Sequence, residues 1–182
     1  MGSTAWRWSL AMNLQSTPLY KQFYFCYYVY KMLKFILSLI LPQLAGAIGA
    51  LFTVKAIPTW YMYLNKPNFS PPNWLFGPVW LTLYLMMGIA LYLNWIKKTK
   101  QAKSNVRLFF IHLFFNFIWT PIFFGAKSLS TSLIVIVIIW VMIIMMINNF
   151  WKVNKISAYL LIPYLLWVSF ASLLNFFVWK LN

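Results

Sequence analysis

The chain has 182 residues, 63% of them hydrophobic and 21% aromatic, with 15 Lys and Arg against no Asp or Glu. Soluble domains are roughly 25% charged and 45–50% apolar, so this composition, with a mean hydropathy of +0.76, belongs to an integral membrane protein. Without carboxylates there is no paired-acid glycosidase site, acid-completed triad, calcium loop or acid-supported metal site, and the hydrophobicity excludes intrinsic disorder.

Residues 1–31 are basic and aromatic and contain Pro18, while the apolar stretch 19–30 is interrupted by Lys21 and too short to span a bilayer. No small-residue cleavage site precedes the first apolar run, which argues against a secretory signal peptide. Met32-Leu33-Lys34 before that run reads as the natural start of a membrane protein. Residues 1–31 are therefore expected to be a dispensable extension and 32–182 the membrane domain. An organelle-targeting role is the rival reading.

Crossing a hydrocarbon layer of roughly 30 Å takes about 20 apolar residues. Five stretches qualify, at about 35–54, 74–96, 108–125, 129–151 and 156–179, and their continuous apolarity argues against porin-like strands. The fold expected is an all-α bundle of five transmembrane helices. Trp60, Tyr61, Trp74, Tyr92, Trp95, Trp151 and Trp179 cluster at span ends, as an interfacial aromatic belt would.

The first span carries Pro42 and Gln43, then Ala45/Gly49 and Gly46/Ala50, two small-xxx-small pairs. Such pairs let another helix approach closely, or they form a flat wall for a planar ligand. The first connection holds Trp60, Tyr61, Lys66, Pro67, the pair Pro71-Pro72 and, at its end, Trp74. Its prolines predict an ordered path, serving either as a lid over the bundle mouth or as an interfacial anchor. On the second span Trp80, Tyr84 and Gly88 share one helical face. The third puts His112, Asn116, Trp119 and Phe123 on a face and Pro121 near its end, and the fifth aligns Pro163, Trp167, Ala171 and Asn175.

The fourth span has no polar side chain over 133–147 except the Trp140 indole and is expected to face lipid. The other polar faces must turn inward, because isolated Asn and His meet lipid at a cost. They form either a tryptophan-lined pocket for a flat hydrophobic molecule or interhelical glue. No second His, carboxylate or suitably placed Cys accompanies His112, so it reads as a structural, hydrogen-bonded histidine, and no metal site is expected.

The cations orient the bundle. Arg7, Lys21, Lys31, Lys34, Lys97, Lys98, Lys100, Lys103, Arg107, Lys152 and Lys155 collect on one side, and Lys55, Lys66, Lys127 and Lys180 on the other. This places the N-terminus and the second and fourth connections inside. The lysines read as topology signals and contacts for anionic lipid head groups; with no soluble basic face, nucleic acid is not an expected partner. The lone Cys26 excludes a disulfide within the chain.

Three ordered blocks carry a family resemblance. Trp60-Tyr61…Leu64…Lys66-Pro67…Pro71-Pro72-Asn73-Trp74…Phe76-Gly77-Pro78-Val79-Trp80…Leu83-Tyr84…Met87-Gly88…Ala90 resembles the signature of the TspO/MBR family, the tryptophan-rich sensory proteins and the mitochondrial translocator protein, or peripheral-type benzodiazepine receptor. Asn116…Trp119…Pro121…Phe123-Phe124-Gly125 is similar to its third-helix motif, and Leu161…Pro163-Tyr164-Leu165…Trp167-Val168…Phe170-Ala171…Leu174-Asn175 to its fifth. The resemblance implies a five-helix bundle, commonly a homodimer in the lipid bilayer, with a pocket capped by the first connection. It implies protoporphyrin IX and haem as ligands, and isoquinoline-carboxamide and benzodiazepine drugs, with Trp80, Tyr84, Asn116, Trp119, Trp167 and Ala171 at the pocket and Trp60, Lys66, Pro67 and Trp74 in the lid. No cofactor is implied.

The animal sterol motif needs a Tyr where this chain has Phe176 and Phe177, and Thr131 stands where animal members have a pocket Trp. The chain looks more like bacterial members, so a bacterial inner membrane is expected ahead of a mitochondrial outer membrane. A receptor or sensor for tetrapyrroles is the leading functional expectation. A light-dependent porphyrin-degrading activity with Trp167 as participant is the second. Transport ranks last, since five spans cannot form two equal inverted halves.

Overall fold

The computed structural model describes residues 18–182, and Arg7 with the first part of the N-terminal extension lies outside them. Among the described residues all regular structure is helical. Helix α1 runs Pro18–Ala56, α2 Phe76–Trp95, α3 Lys100–Thr120, α4 Leu129–Trp151, α5 Lys155–Tyr159 and α6 Ile162–Leu181. Five helical segments are long and apolar enough to cross a membrane, α5 and α6 together forming the fifth.

Several boundaries have a local cause. Pro18 is the first described residue of α1. The helix then continues without a break through residues 31 and 32, so the first span is the inner part of a longer rod. Thr99 caps α3 by accepting the Ala102 N–H at 3.1 Å, and Asn154 caps α5 through the Ser157 N–H at 3.1 Å. Pro121 cannot continue the hydrogen-bond ladder of α3, and Pro121–Gly125 widens into a π-turn closed by Ala126 N donating to Pro121 O at 2.8 Å. Pro163 likewise separates α6 from α5.

The helices form a ring in the order α1, α2, α6, α4, α3, closed by α3 against α1. Met87, Leu91, Phe109, Ile143, Met146, Phe150, Leu161 and Tyr164 are buried at its centre. The expectation for the fourth span fails: of the five spans α4 is buried to the largest extent and α1 to the smallest. Val135, Ile136, Ile139, Ile143 and Met146 of α4 turn inward, and Ile134, Val137, Ile138, Val141 and Met145 face out. Lipid tails are as apolar as a bundle interior, so a lack of polar side chains cannot tell which one a helix meets.

The described members of the two cation sets lie toward opposite ends of the bundle. Asn94 Nδ2, beside Lys97 and Lys98, donates to Ser157 Oγ at 2.8 Å, beside Lys155. At the other end Asn65 N, next to Lys66, donates to Asn182 Oδ1 at 3.0 Å, close to Lys180.

Candidate functional site

A cavity of about 440 Å³, partly open to the surface, lies among the helices, and all five spans line it. From α1 come Gly46, Gly49 and Ala50, so the small-residue face is wall and packing surface at once. Gly46 has the Tyr84 ring directly against it, and a Cβ on Gly49 would lie 3.2 Å from Thr120 Oγ1. Helix α2 supplies Phe76, Trp80 and Tyr84, α3 supplies Asn116, Trp119 and Thr120, and the π-turn adds Phe123 and Phe124. Ile136 and Ile139 of α4 face Val168, Ala171, Leu174 and Asn175 of α6.

Its polar groups form two hydrogen-bonded chains. Tyr84 Oη donates to Asn116 Oδ1 at 2.8 Å, Asn116 Nδ2 donates to Tyr164 Oη at 2.7 Å, and Tyr164 Oη meets His112 Nε2 at 3.0 Å. The direction of this last bond follows the imidazole tautomer, and His112 Nδ1 is buried with no partner in the protein. Elsewhere Trp119 Nε1 donates to Asn175 Oδ1 at 3.3 Å, and Asn175 Nδ2 to the Leu129 carbonyl at 3.2 Å. The asparagines are therefore glue and lining together. Trp119 stacks on Phe123 with centroids 5.0 Å apart and planes 24° off parallel, and Trp80 lies 5.2 Å from the Tyr84 ring. The cavity thus presents two flat aromatic surfaces and a few fixed dipoles.

The first connection closes one end. Tyr61 is buried and lines the cavity, with its ring 6.1 Å from Phe123 and 5.7 Å from Phe124, so it does not belong to the interfacial belt. Burial pushes its hydroxyl above the ordinary tyrosine pKa. The Lys66 ammonium lies 4.6 Å over the Tyr61 ring, a cation–π distance. Trp60 meets Phe123 edge-on at 5.8 Å. Pro67 begins a turn closed by Ser70 N donating to its carbonyl at 2.9 Å, while Trp74 is 72% exposed and stands away from the cavity.

Trp80, Tyr84, Asn116, Trp119 and Ala171, expected at the pocket, all line the cavity. Trp167 does not: it stands behind Phe76, ring centroids 5.8 Å apart, and its buried indole N–H has no partner in the protein. His112 is fully buried behind Tyr164, whose Oη lies 3.0 Å from Nε2. Gly88 packs against α1. The sequence reading overlooked Phe76 and Thr120 as lining, and Tyr164 as the link between the Asn116 amide and His112. It also passed over a polar clasp at the lysine-rich end. There Asn105 Nδ2 donates to Asn94 Oδ1 at 2.8 Å and to the Asn149 carbonyl at 3.1 Å, joining the Asn94–Ser157 bond. Two buried asparagines at facing span ends, Asn94 and Asn105, were the available signal.

Fold and site together define a multi-pass membrane protein: five helices around a partly open, aromatic-lined cavity beside the first connection. The TspO/MBR family model matches residues 38–180, and the chain belongs to that family. It is 39% identical to the tryptophan-rich protein TspO of Archaeoglobus fulgidus over 150 residues, covering 82% of this chain and 97% of that protein. With the tryptophan-rich protein TspO of Chlorobaculum tepidum it shares 43% identity over 75% of this chain and 88% of the relative. With the human translocator protein the identity is 35%, over 78% and 85% of the two chains.

Proposed function

We propose that this protein is a membrane receptor or sensor that binds a tetrapyrrole inside the five-helix cavity. The observation carrying the reading is the cavity itself: about 440 Å³, lined by all five spans, and mostly aromatic or aliphatic with fixed amide and hydroxyl groups. Small-molecule sites are commonly 300–1,000 Å³ and built this way. A macrocycle would stack on Trp80 and on the Trp119–Phe123 pair, with Tyr84 and Asn116 fixing its orientation. Lys66, folded over Tyr61, or Lys127 after the π-turn offers a cation for a propionate. Sensory and translocator names among the relatives support a role in recognition rather than turnover.

His112 lies behind the cavity with Nε2 engaged by Tyr164, so it offers no axial ligand, and the metal-free ring is the natural first probe. The test is quenching of tryptophan fluorescence by protoporphyrin IX added to the purified protein in detergent. Saturable quenching at micromolar ligand, weakened in Trp80→Leu, is the expected result; its absence overturns the reading. The excess of cations at the Asn94–Ser157 end supports placing that end, and with it the second and fourth connections, on the inner side of the membrane.

A further inference from the structure

We propose that the lysine-rich end of the bundle carries a second binding site, separate from the aromatic cavity, for a phosphate-bearing anion. A recess of about 470 Å³ opens where α1 meets the connection between α2 and α3. Lys34 reaches it from α1, Lys97 and Lys98 from the connection, and Lys103 from the first turn of α3, with Tyr30 and Trp95 as aromatic walls.

Four cations converging on one recess repel one another, and the chain holds no Asp or Glu side chain to neutralise them. An anion from outside would balance that charge locally. Lys34 is already fixed for such a partner. Its Nζ donates to the Trp95 carbonyl at 2.9 Å and lies 4.4 Å over the Tyr30 ring and 5.5 Å from that of Trp95. Capping a carbonyl uses one of the three ammonium donors and leaves two. The recess also includes Ala102 and Lys103, in the first turn of the 21-residue helix α3, where the helix dipole adds positive potential.

The surroundings suit a lipid head group. Val106 lines the recess, and Phe110 follows one turn on, exposed along α3 with its ring 5.9 Å from Trp95. A phosphate held by the lysines would thus have an apolar track beside it for acyl chains. Basic recesses between transmembrane helices hold anionic head groups by this combination. Free phosphate shares the charge chemistry but has no use for the track.

The test is native mass spectrometry of the full chain released from detergent containing phosphatidylglycerol and phosphatidylcholine in equal amounts. Wild type is compared with Lys97→Gln/Lys98→Gln/Lys103→Gln, and with Lys55→Gln/Lys127→Gln/Lys180→Gln from the opposite end as control. All six side chains are exposed, and unchanged circular-dichroism melting confirms folding. The preference for phosphatidylglycerol should fall about tenfold in the first triple variant and stay near wild type in the second. Retention of phosphatidylglycerol in millimolar inorganic phosphate assigns the site to lipid, and displacement there assigns it to soluble phosphate. Equal preference in wild type and the first variant, or equal loss in both variants, overturns the proposal. So does misfolding of the first variant if the single Lys103→Gln, which folds, keeps full preference.

Discussion

Gly88 of α2 rests against the Ser38 carbonyl of α1: a Cβ on Gly88 would lie 2.6 Å from that oxygen and 3.0 Å from Leu39 Cα. Ser38 stands four residues before Pro42, which has no N–H to offer the Ser38 carbonyl. The Ser38 carbonyl thus lacks its i+4 donor at the point where the partner helix has no side chain, and the two backbones meet there.

Gly88→Ala should accordingly push α1 and α2 apart and cost about 1–3 kcal/mol of stability. Thermal unfolding in detergent followed by circular dichroism measures it. Gly77→Ala is the internal control: nothing lies within 4 Å of its added Cβ, so no loss is expected there.

Tyr164→Phe removes the hydroxyl that joins Asn116 Nδ2 at 2.7 Å to His112 Nε2 at 3.0 Å. Both partners are buried, so the variant should lose about 1–3 kcal/mol in the same melt. Freed from Tyr164, the Asn116 amide can turn within the cavity, and protoporphyrin IX affinity should fall as well. An unchanged melt would mean that the chain from Tyr84 to His112 is not held as described.

Ala171 lines the cavity on α6, where a larger side chain occupies ligand space. Ala171→Phe should abolish quenching by protoporphyrin IX while leaving the helical signal intact. Trp119→Leu, which removes the surface stacked on Phe123, should weaken binding about tenfold. Trp167→Phe should have the smaller effect, since Phe76 stands between Trp167 and the cavity. A larger loss for Trp167→Phe than for Trp119→Leu would show that Phe76 moves aside on binding.

Asn94→Leu breaks the clasp at the lysine-rich end, leaving Ser157 Oγ and one proton of the Asn105 amide without their partner. The expected cost is about 1–3 kcal/mol in the melt. Protoporphyrin IX affinity should be unaffected, because the clasp lies outside the cavity lining. A parallel loss of affinity would couple the two ends of the bundle.

Much of this architecture was legible in the chain. Continuous apolar runs bounded by lysines located all five spans, since span length follows from bilayer thickness. Asn116, Trp119 and Trp80 could be read as inward because lipid penalises amides and the spacing puts each on a polar-aromatic face. The burial of α4 could not be read this way: its inward Ile139 and outward Ile138 are chemically the same residue. Tyr61 resembled a belt residue until the connection folded it beneath Phe123 and Phe124.

The sequence by itself determined that this is a five-span membrane protein, with cations sorted to its ends and no carboxylate for any chemistry it performs. Those properties come from composition and one-dimensional spacing, to which the bilayer responds directly. Only the tertiary structure decided that Trp167 stands behind Phe76 while Trp119 lines the cavity, and that Lys34 meets Lys97, Lys98 and Lys103 around one recess. Helical periodicity tells which residues share a face. The rotation of that face against its neighbours is set by close approaches such as Gly88 on Ser38, where packing between helices replaces the hydrophobic effect as the deciding force.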